Sequence, residues 1–302
     1  MPWALPFATA ILQKNDYLCN IISEKTFRMN FKKLFFLLGL AVFSLSAAAQ
    51  RTFDVNLYQG RPRYSNGNVL DTAKVRVYLP DEKSNTRRAV VIFPGGGYES
   101  LAMDKEGYDW GEFFQNQGIA AIVVKYRMPK GNPDVPVSDA ETAMRMVRIN
   151  AGSWGINDDE VGVMGFSAGG HLASVIATQS TGTAKPNFQI LFYPVISMME
   201  GYGHEGSFNN FLGKHPSKRD QKKYSSDQNV SRMTPRALIF LCDDDRVVPP
   251  ANGASYFMEL YRHDVPASIH VYPSGGHGFG SKIGFRYHEE MMMELKSWLK
   301  SF

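Results

Sequence analysis

The chain has 302 residues, 44% of them hydrophobic and 21% charged, a composition that suits a globular protein with one large core. The formal net charge is +4, but residues 1–49 hold five basic and two acidic side chains and so account for most of the excess. What remains gives no reason to expect nucleic acid or an anionic membrane surface as a partner.

In chain order, the first recognisable element is a leader. Met29-Asn30-Phe31-Lys32-Lys33 is basic, Leu34 to Leu45 is apolar apart from Gly39 and Ser44, and Ser46-Ala47-Ala48-Ala49 is small. Basic, apolar, small is the order of a secretory signal peptide, and the apolar run is too short to span a bilayer comfortably. Residues 29–49 are therefore expected to be removed on export to the periplasm or beyond. No stable membrane insertion is expected afterwards. A complete signal beginning at its own methionine makes residues 1–28 an expected mis-called extension. The working domain is then 50–302. Cys19 falls in the extension, so Cys242 stands alone in that domain and no intramolecular disulfide is expected. Cys242 closes an apolar run and reads as a buried core thiol.

From residue 74 onward, short apolar runs alternate with segments of helical period. The strand candidates are Lys74–Leu79, Ala89–Phe93, Ile119–Tyr126, Val161–Gly165, Phe188–Tyr193, Ala237–Leu241 and Ser268–Tyr272. Several are continuous Val and Ile, as strands buried on both faces are, and the expected fold is α/β with a mainly parallel sheet covered by helices on both sides. Ser138 and Glu141 have the spacing of a capping box, followed by a face of Ala140, Ala143, Met144 and Val147, with Gly152 as the expected stop. A second helix is expected directly after Gly170, through Leu172, Val175 and Ile176. Met291, Met292, Leu295, Trp298 and Leu299 mark an amphipathic closing helix whose methionines are expected to pack in the core. Residues 195–233 are polar and irregular and are expected to be a small insertion over the sheet edge, with solvated lysines.

The chemistry concentrates in a few segments. Gly165-Phe166-Ser167-Ala168-Gly169 is a G-x-S-x-G pentapeptide between a strand and a helix. That context forces a sharp turn, which lifts the Ser167 hydroxyl clear of the sheet above a helix N-terminus. A serine needs a general base. Of the histidines downstream, His171 is too close, His204 and His215 fall in the expected insertion, and His263 and His288 fall in helical segments. His270 lies inside a strand. His277 alone follows the last strand in a glycine-rich loop, Gly275-Gly276-His277-Gly278. The acid belongs after the preceding strand, where Asp243, Asp244 and Asp245 are all candidates on chemistry alone. Two of the three would then serve turn formation or helix capping. An oxyanion needs amides: Ala168 follows the nucleophile, and Pro94-Gly95-Gly96-Gly97-Tyr98 follows the Ala89–Phe93 strand. That glycine run is no phosphate loop, because no Gly-Lys-Ser/Thr follows it.

Together these segments resemble the bacterial α/β-hydrolase esterases related to hormone-sensitive lipase, including acetyl esterases, acetylxylan esterases and feruloyl-esterase-like enzymes. The resemblance rests on Trp154-Gly155-Ile156-Asn157, on Gly165 through Leu172, on Pro94 through Gly97, on Asp245-Arg246-Val247-Val248-Pro249 and on Gly275 through Phe279. It covers roughly residues 72–300. It implies Asp245 as the triad acid beside Ser167 and His277, and an oxyanion hole of Gly96, Gly97 and Ala168. It also implies a small ester or an acetylated carbohydrate as substrate, handled through an acyl-enzyme, and no cofactor or metal. Proline stands at 94 where many relatives carry histidine, so the support of that loop must differ. Two other readings stay open: a serine exopeptidase, and a carbohydrate-binding protein without activity. Glycosidase chemistry is disfavoured, since no motif places paired carboxylates across a cleft.

Overall fold

The continuous Val and Ile runs become the middle of one eight-stranded sheet. A computed structural model describes residues 50–200 and 203–302; the expected extension at 1–28 and signal peptide at 29–49 lie outside the described residues. The strands are β1 (Arg51–Asn56), β2 (Lys74–Leu79), β3 (Ala89–Phe93), β4 (Ala120–Lys125), β5 (Val161–Phe166), β6 (Phe188–Phe192), β7 (Arg236–Cys242) and β8 (Ala267–Tyr272). Their order in the sheet is β1-β2-β4-β3-β5-β6-β7-β8. β2 runs antiparallel to both β1 and β4, and every other pairing is parallel.

All seven expected strands are present within two residues of the expected ends. β1 was not foreseen. It is a half-exposed edge strand in which only Phe53 and Val55 lean on the core. Four polar residues in six, Arg51, Thr52, Asp54 and Asn56, dilute the apolar signal there.

Helices cover both faces. α1 (Asp109–Asn116) packs Trp110 and Phe114 against Ile92, Val123 and Phe166, and the closing helix α8 (His288–Leu299) adds Met291, Leu295 and Leu299 to that side. The other face buries Val91, Phe93, Ile122 and Val163 under α2 (Asp134–Ile149), α4 (Ser167–Gln179) and α7 (Ala251–Arg262). Successive residues of β3 point to opposite faces, which is why the whole strand must be apolar.

Two local expectations need correction. Ser138 and Glu141 are not a capping box: α2 begins at Asp134, and the Ser138 hydroxyl donates to the Val135 carbonyl at 2.9 Å. Pro133 and Pro136 explain the earlier start, since neither has an N–H and the first turn has no acceptors to offer one. Gly152 does not end the helical run. It lies inside the short α3 (Ala151–Trp154), and Gly155, at φ +66°, closes it.

The segment expected as an insertion is the β6–β7 crossover itself. It contains α5 (Glu205–Leu212) and α6 (Lys218–Lys223) and sends Val195, Ile196, Met198, Phe211 and Tyr224 into the core. Lys218, Lys222 and Lys223 face solvent, as expected.

Candidate active site

β3 leads to β4 on one side and, after β4, the chain returns to lay β5 on the other side of β3. The loops leaving the carboxyl ends of β3 and β5 therefore diverge, and a crevice opens between them. Every sequence-predicted site residue lies on this rim. The Pro94–Tyr98 loop follows β3, Ser167 follows β5, Asp243–Asp245 follow β7 and Ser274–Gly280 follow β8.

Ser167 has φ +50°, a left-handed conformation that a residue with a side chain adopts only when its surroundings impose it. Two glycines impose it here. A Cβ on Gly165 would lie 2.2 Å from the Gly169 carbonyl oxygen, and one on Gly169 would lie 2.1 Å from that of Phe93. The chain can turn this tightly only without those atoms. The Ser167 carbonyl accepts from the Val195 amide at 3.0 Å, fixing the turn from the β6 side.

Three side chains from separate loops meet over this turn. Ser167 Oγ lies 2.9 Å from His277 Nε2, and His277 Nδ1 lies 2.7 Å from Asp245 Oδ2. A carboxylate can only accept, so Nδ1 carries the proton and Nε2 presents its lone pair to the hydroxyl. Asp245 is 3% exposed, and its Oδ1 accepts from the amides of Val247 at 2.9 Å and Val248 at 3.0 Å. Asp243 and Asp244 do not reach the imidazole. Asp244 instead grips the histidine loop, accepting from Gly276 N at 2.8 Å and Gly275 N at 3.2 Å. Neither caps α7, whose N-terminal flank is Pro250.

The glycine loop lies against the nucleophile. A Cβ on Gly95 would be 2.9 Å from Ser167 Cβ. The amides of Gly96 and Gly97 donate to no group among the described residues, and Ala168 stands in the first turn of α4, where no helical acceptor exists. The Gly95 amide is occupied. It donates to Glu106 Oε2 at 2.8 Å.

Sequence reasoning missed Glu106, Tyr193, His204 and Asn210. Glu106 sits in a single turn of π-helix (Asp104–Tyr108), and its Oε1 accepts from the Tyr193 hydroxyl at 2.9 Å. Burial raises the Glu106 carboxyl above the usual range, against the opposing pull of Tyr193, the Gly95 amide and His277. Burial, followed by the Glu106 charge, pushes the Tyr193 phenol well up. The Tyr193 ring meets His277 edge-on at 4.8 Å between centroids. One buried carboxyl thus ties the oxyanion-type loop, the residue after β6 and the histidine loop together. The Pro94 carbonyl accepts from the Tyr126 hydroxyl at 2.7 Å, which is the loop support that proline at 94 had left in question.

α5 of the crossover reaches over the same loop. Asn210 Nδ2 donates to the Gly97 carbonyl at 2.9 Å, and His204, the residue before α5, lies where a Cβ on Gly97 would come 3.7 Å from its Cε1. His204 had been set aside with the crossover. His171 is fully buried, its Nδ1 2.7 Å from the Tyr98 hydroxyl and its Nε2 2.7 Å from the Tyr224 carbonyl, so it braces the loop beneath the site. No group of three or more His, Cys, Asp or Glu able to hold a metal ion occurs among the described residues.

A doubly covered, mostly parallel sheet with a strained serine at its switch point defines the α/β-hydrolase fold. The acetyl ester-xyloside bifunctional hydrolase from Caldicellulosiruptor lactoaceticus has this architecture, with a TM-score of 0.76 and 31% identity over 82% of this chain and 96% of that one. Residues 75–260 match the BD-FAE family, and the chain belongs to it. It is 43% identical to an acetylxylan esterase of Xylanibacter ruminicola across 88% of this chain and 54% of that protein. It is 30% identical to endo-1,4-beta-xylanase B of Butyrivibrio fibrisolvens across 70% of this chain and 36% of that protein. The chain thus spans about half, or less, of the length of these curated relatives.

Proposed function

We propose that the chain is a serine carboxylic-ester hydrolase that removes acetyl groups from carbohydrate esters of the acetylxylan kind. The observation that carries this reading is the unbroken hydrogen-bonded path from Ser167 Oγ through His277 to Asp245, at 2.9 and 2.7 Å. The names of its relatives, an acetylxylan esterase and an acetyl ester-xyloside hydrolase, support the choice of ester.

In the proposed reaction Ser167 Oγ attacks the ester carbonyl carbon while His277 Nε2 takes its proton. The imidazolium is stabilised by the Asp245 carboxylate. Negative charge on the former carbonyl oxygen is met by the amides of Gly96, Gly97 and Ala168, each such donor contributing about 3 kcal/mol in the transition state. The ester C–O bond then breaks and His277 protonates the departing sugar hydroxyl. Water, deprotonated by the same histidine, attacks the acetyl-serine and releases acetate, restoring Ser167. Nothing in this sequence of steps draws on a cofactor.

The order of charge and apolarity in residues 29–49 supports export, with a mature chain beginning at Gln50. The test of the whole reading is acetate release from acetylated xylan and from p-nitrophenyl acetate by the wild type, Ser167→Ala and His277→Ala. We expect each variant to lose at least about 1,000-fold in kcat. Retention of acetate release by Ser167→Ala would refute the assignment.

A further inference from the structure

His204 has a defined protonation pattern and an unused donor. Its Nδ1 accepts from the Ser207 amide at 3.1 Å, as the cap of α5, and lies 2.8 Å from the Ser207 hydroxyl. A nitrogen that accepts a backbone N–H carries no proton, so in the neutral ring the proton is on Nε2. That Nε2–H has no acceptor among the described residues. Burial lowers the imidazole's affinity for a second proton, and repulsion from a protonated His277 lowers it further, so the ring stays a neutral donor. The ring borders Gly97, where a Cβ would come 3.7 Å from its Cε1, and α5 secures the Gly97 peptide through Asn210, so the donor stands at the rim of the crevice that the glycine loop shares with Ser167. His277 hands its proton to the leaving alcohol over Ser167, so the alcohol lies in this crevice too.

We propose that His204 Nε2–H donates to an oxygen of the leaving alcohol next to the scissile ester, making the crossover a selector for esters of vicinal diols such as partly acetylated sugars. This rests on the ester-hydrolase reading above and narrows its substrate class. A donor that is half-buried, fixed in tautomer by its own helix cap and without a partner among the described residues makes a hydrogen bond that a simple alkyl ester cannot return. The selection is by the missing bond: an ester without the neighbouring hydroxyl leaves the donor unpaired when substrate covers it.

The experiment compares two small esters of nearly equal shape, trans-1,2-cyclohexanediol monoacetate and cyclohexyl acetate, by kcat/KM. The wild type is expected to favour the diol ester by about tenfold, the scale of one well-made hydrogen bond. His204→Asn keeps a capping side chain for α5 but withdraws the Nε2 donor, and the ratio should fall towards one. A ratio is used because any general loss of activity in the variant cancels from it. A wild-type ratio near one overturns the inference without need of a variant, and so does a ratio that His204→Asn leaves unchanged. If the wild type hydrolyses both esters without preference, the ester-hydrolase reading stands and only the role of His204 falls. If it hydrolyses neither these nor p-nitrophenyl acetate, the parent reading falls and takes this one with it.

Discussion

Replacing Glu106 tests how the site is held together. Its two carboxyl oxygens each take a separate buried donor, the Gly95 amide at 2.8 Å and the Tyr193 hydroxyl at 2.9 Å, and the residue is 8% exposed. Glu106→Gln keeps the shape but offers only one oxygen. If that oxygen keeps Gly95, the new NH2 faces the phenol, itself a donor to this position, and the phenol proton loses its acceptor. One orphaned buried donor costs about 1–3 kcal/mol. Glu106→Ala orphans both donors and should cost about 2–6 kcal/mol, before any loss from the space left behind. Urea unfolding of the three proteins measures the difference, and kcat for p-nitrophenyl acetate measures what it does to the loop. Because Gly95 abuts Ser167 and precedes the two proposed oxyanion donors, kcat should fall in the same order as stability. Equal stability of the Gln and Ala variants would refute the reasoning, since it would mean that the number of acceptors does not matter.

Two further outcomes follow from strain and from burial. At φ +50° residue 167 should prefer glycine, so Ser167→Gly should be more stable than Ser167→Ala by about 1 kcal/mol in thermal unfolding, with both inactive. Equal melting of the two would argue against strain at the turn. His171 is fully buried and its pKa is pushed down to about 4 by burial, so the unfolded chain binds its proton first as pH falls. Its stabilising contribution is complete above the unfolded value near 6.5 and is lost as pH falls to about 4, about 3 kcal/mol in all. His171→Gln should flatten the wild-type dependence of the urea midpoint between pH 7 and 4.5, and an unchanged slope would exclude the residue as its source.

The parts of this molecule that local pattern dictates were legible. Strands covered on both faces must be apolar throughout, and β3, β5 and β7 announced themselves for that reason. Ser167 and His277 were legible because the turn and the loop that display them are built from glycines adjacent in the chain. Asp245 was separable from Asp243 and Asp244 only by resemblance, because three consecutive aspartates share one composition and differ in direction. In the structure Asp245 turns inward onto two amides and the imidazole, while Asp244 turns to the loop beyond. Glu106 and Tyr193 were out of reach. Their contact joins residues 87 apart in the chain and serves groups on three loops, and no spacing rule encodes it. The crossover was misread for a related reason. Its helices are too short to show a period, and the residues that bury, such as Phe211 and Tyr224, are spread among glycines and lysines.

Cys242 ends β7 directly beneath both the acid loop and the histidine loop. It is fully buried, its Sγ lies 3.5 Å from the Ser274 carbonyl, and a Cβ on Gly275 would come within 2.8 Å of that sulfur. Burial, and then the charges of Asp244 and Asp245, push its thiol up to about 12, so little of it exists as reactive thiolate at neutral pH. A reagent must therefore wait for the Ser274–Gly275 segment, packed against Phe285, to lift from the sulfur. As the one cysteine thiol among the described residues, it is a built-in clock. The pace at which an alkylating dye reaches it counts how often the histidine loop parts company with the sheet.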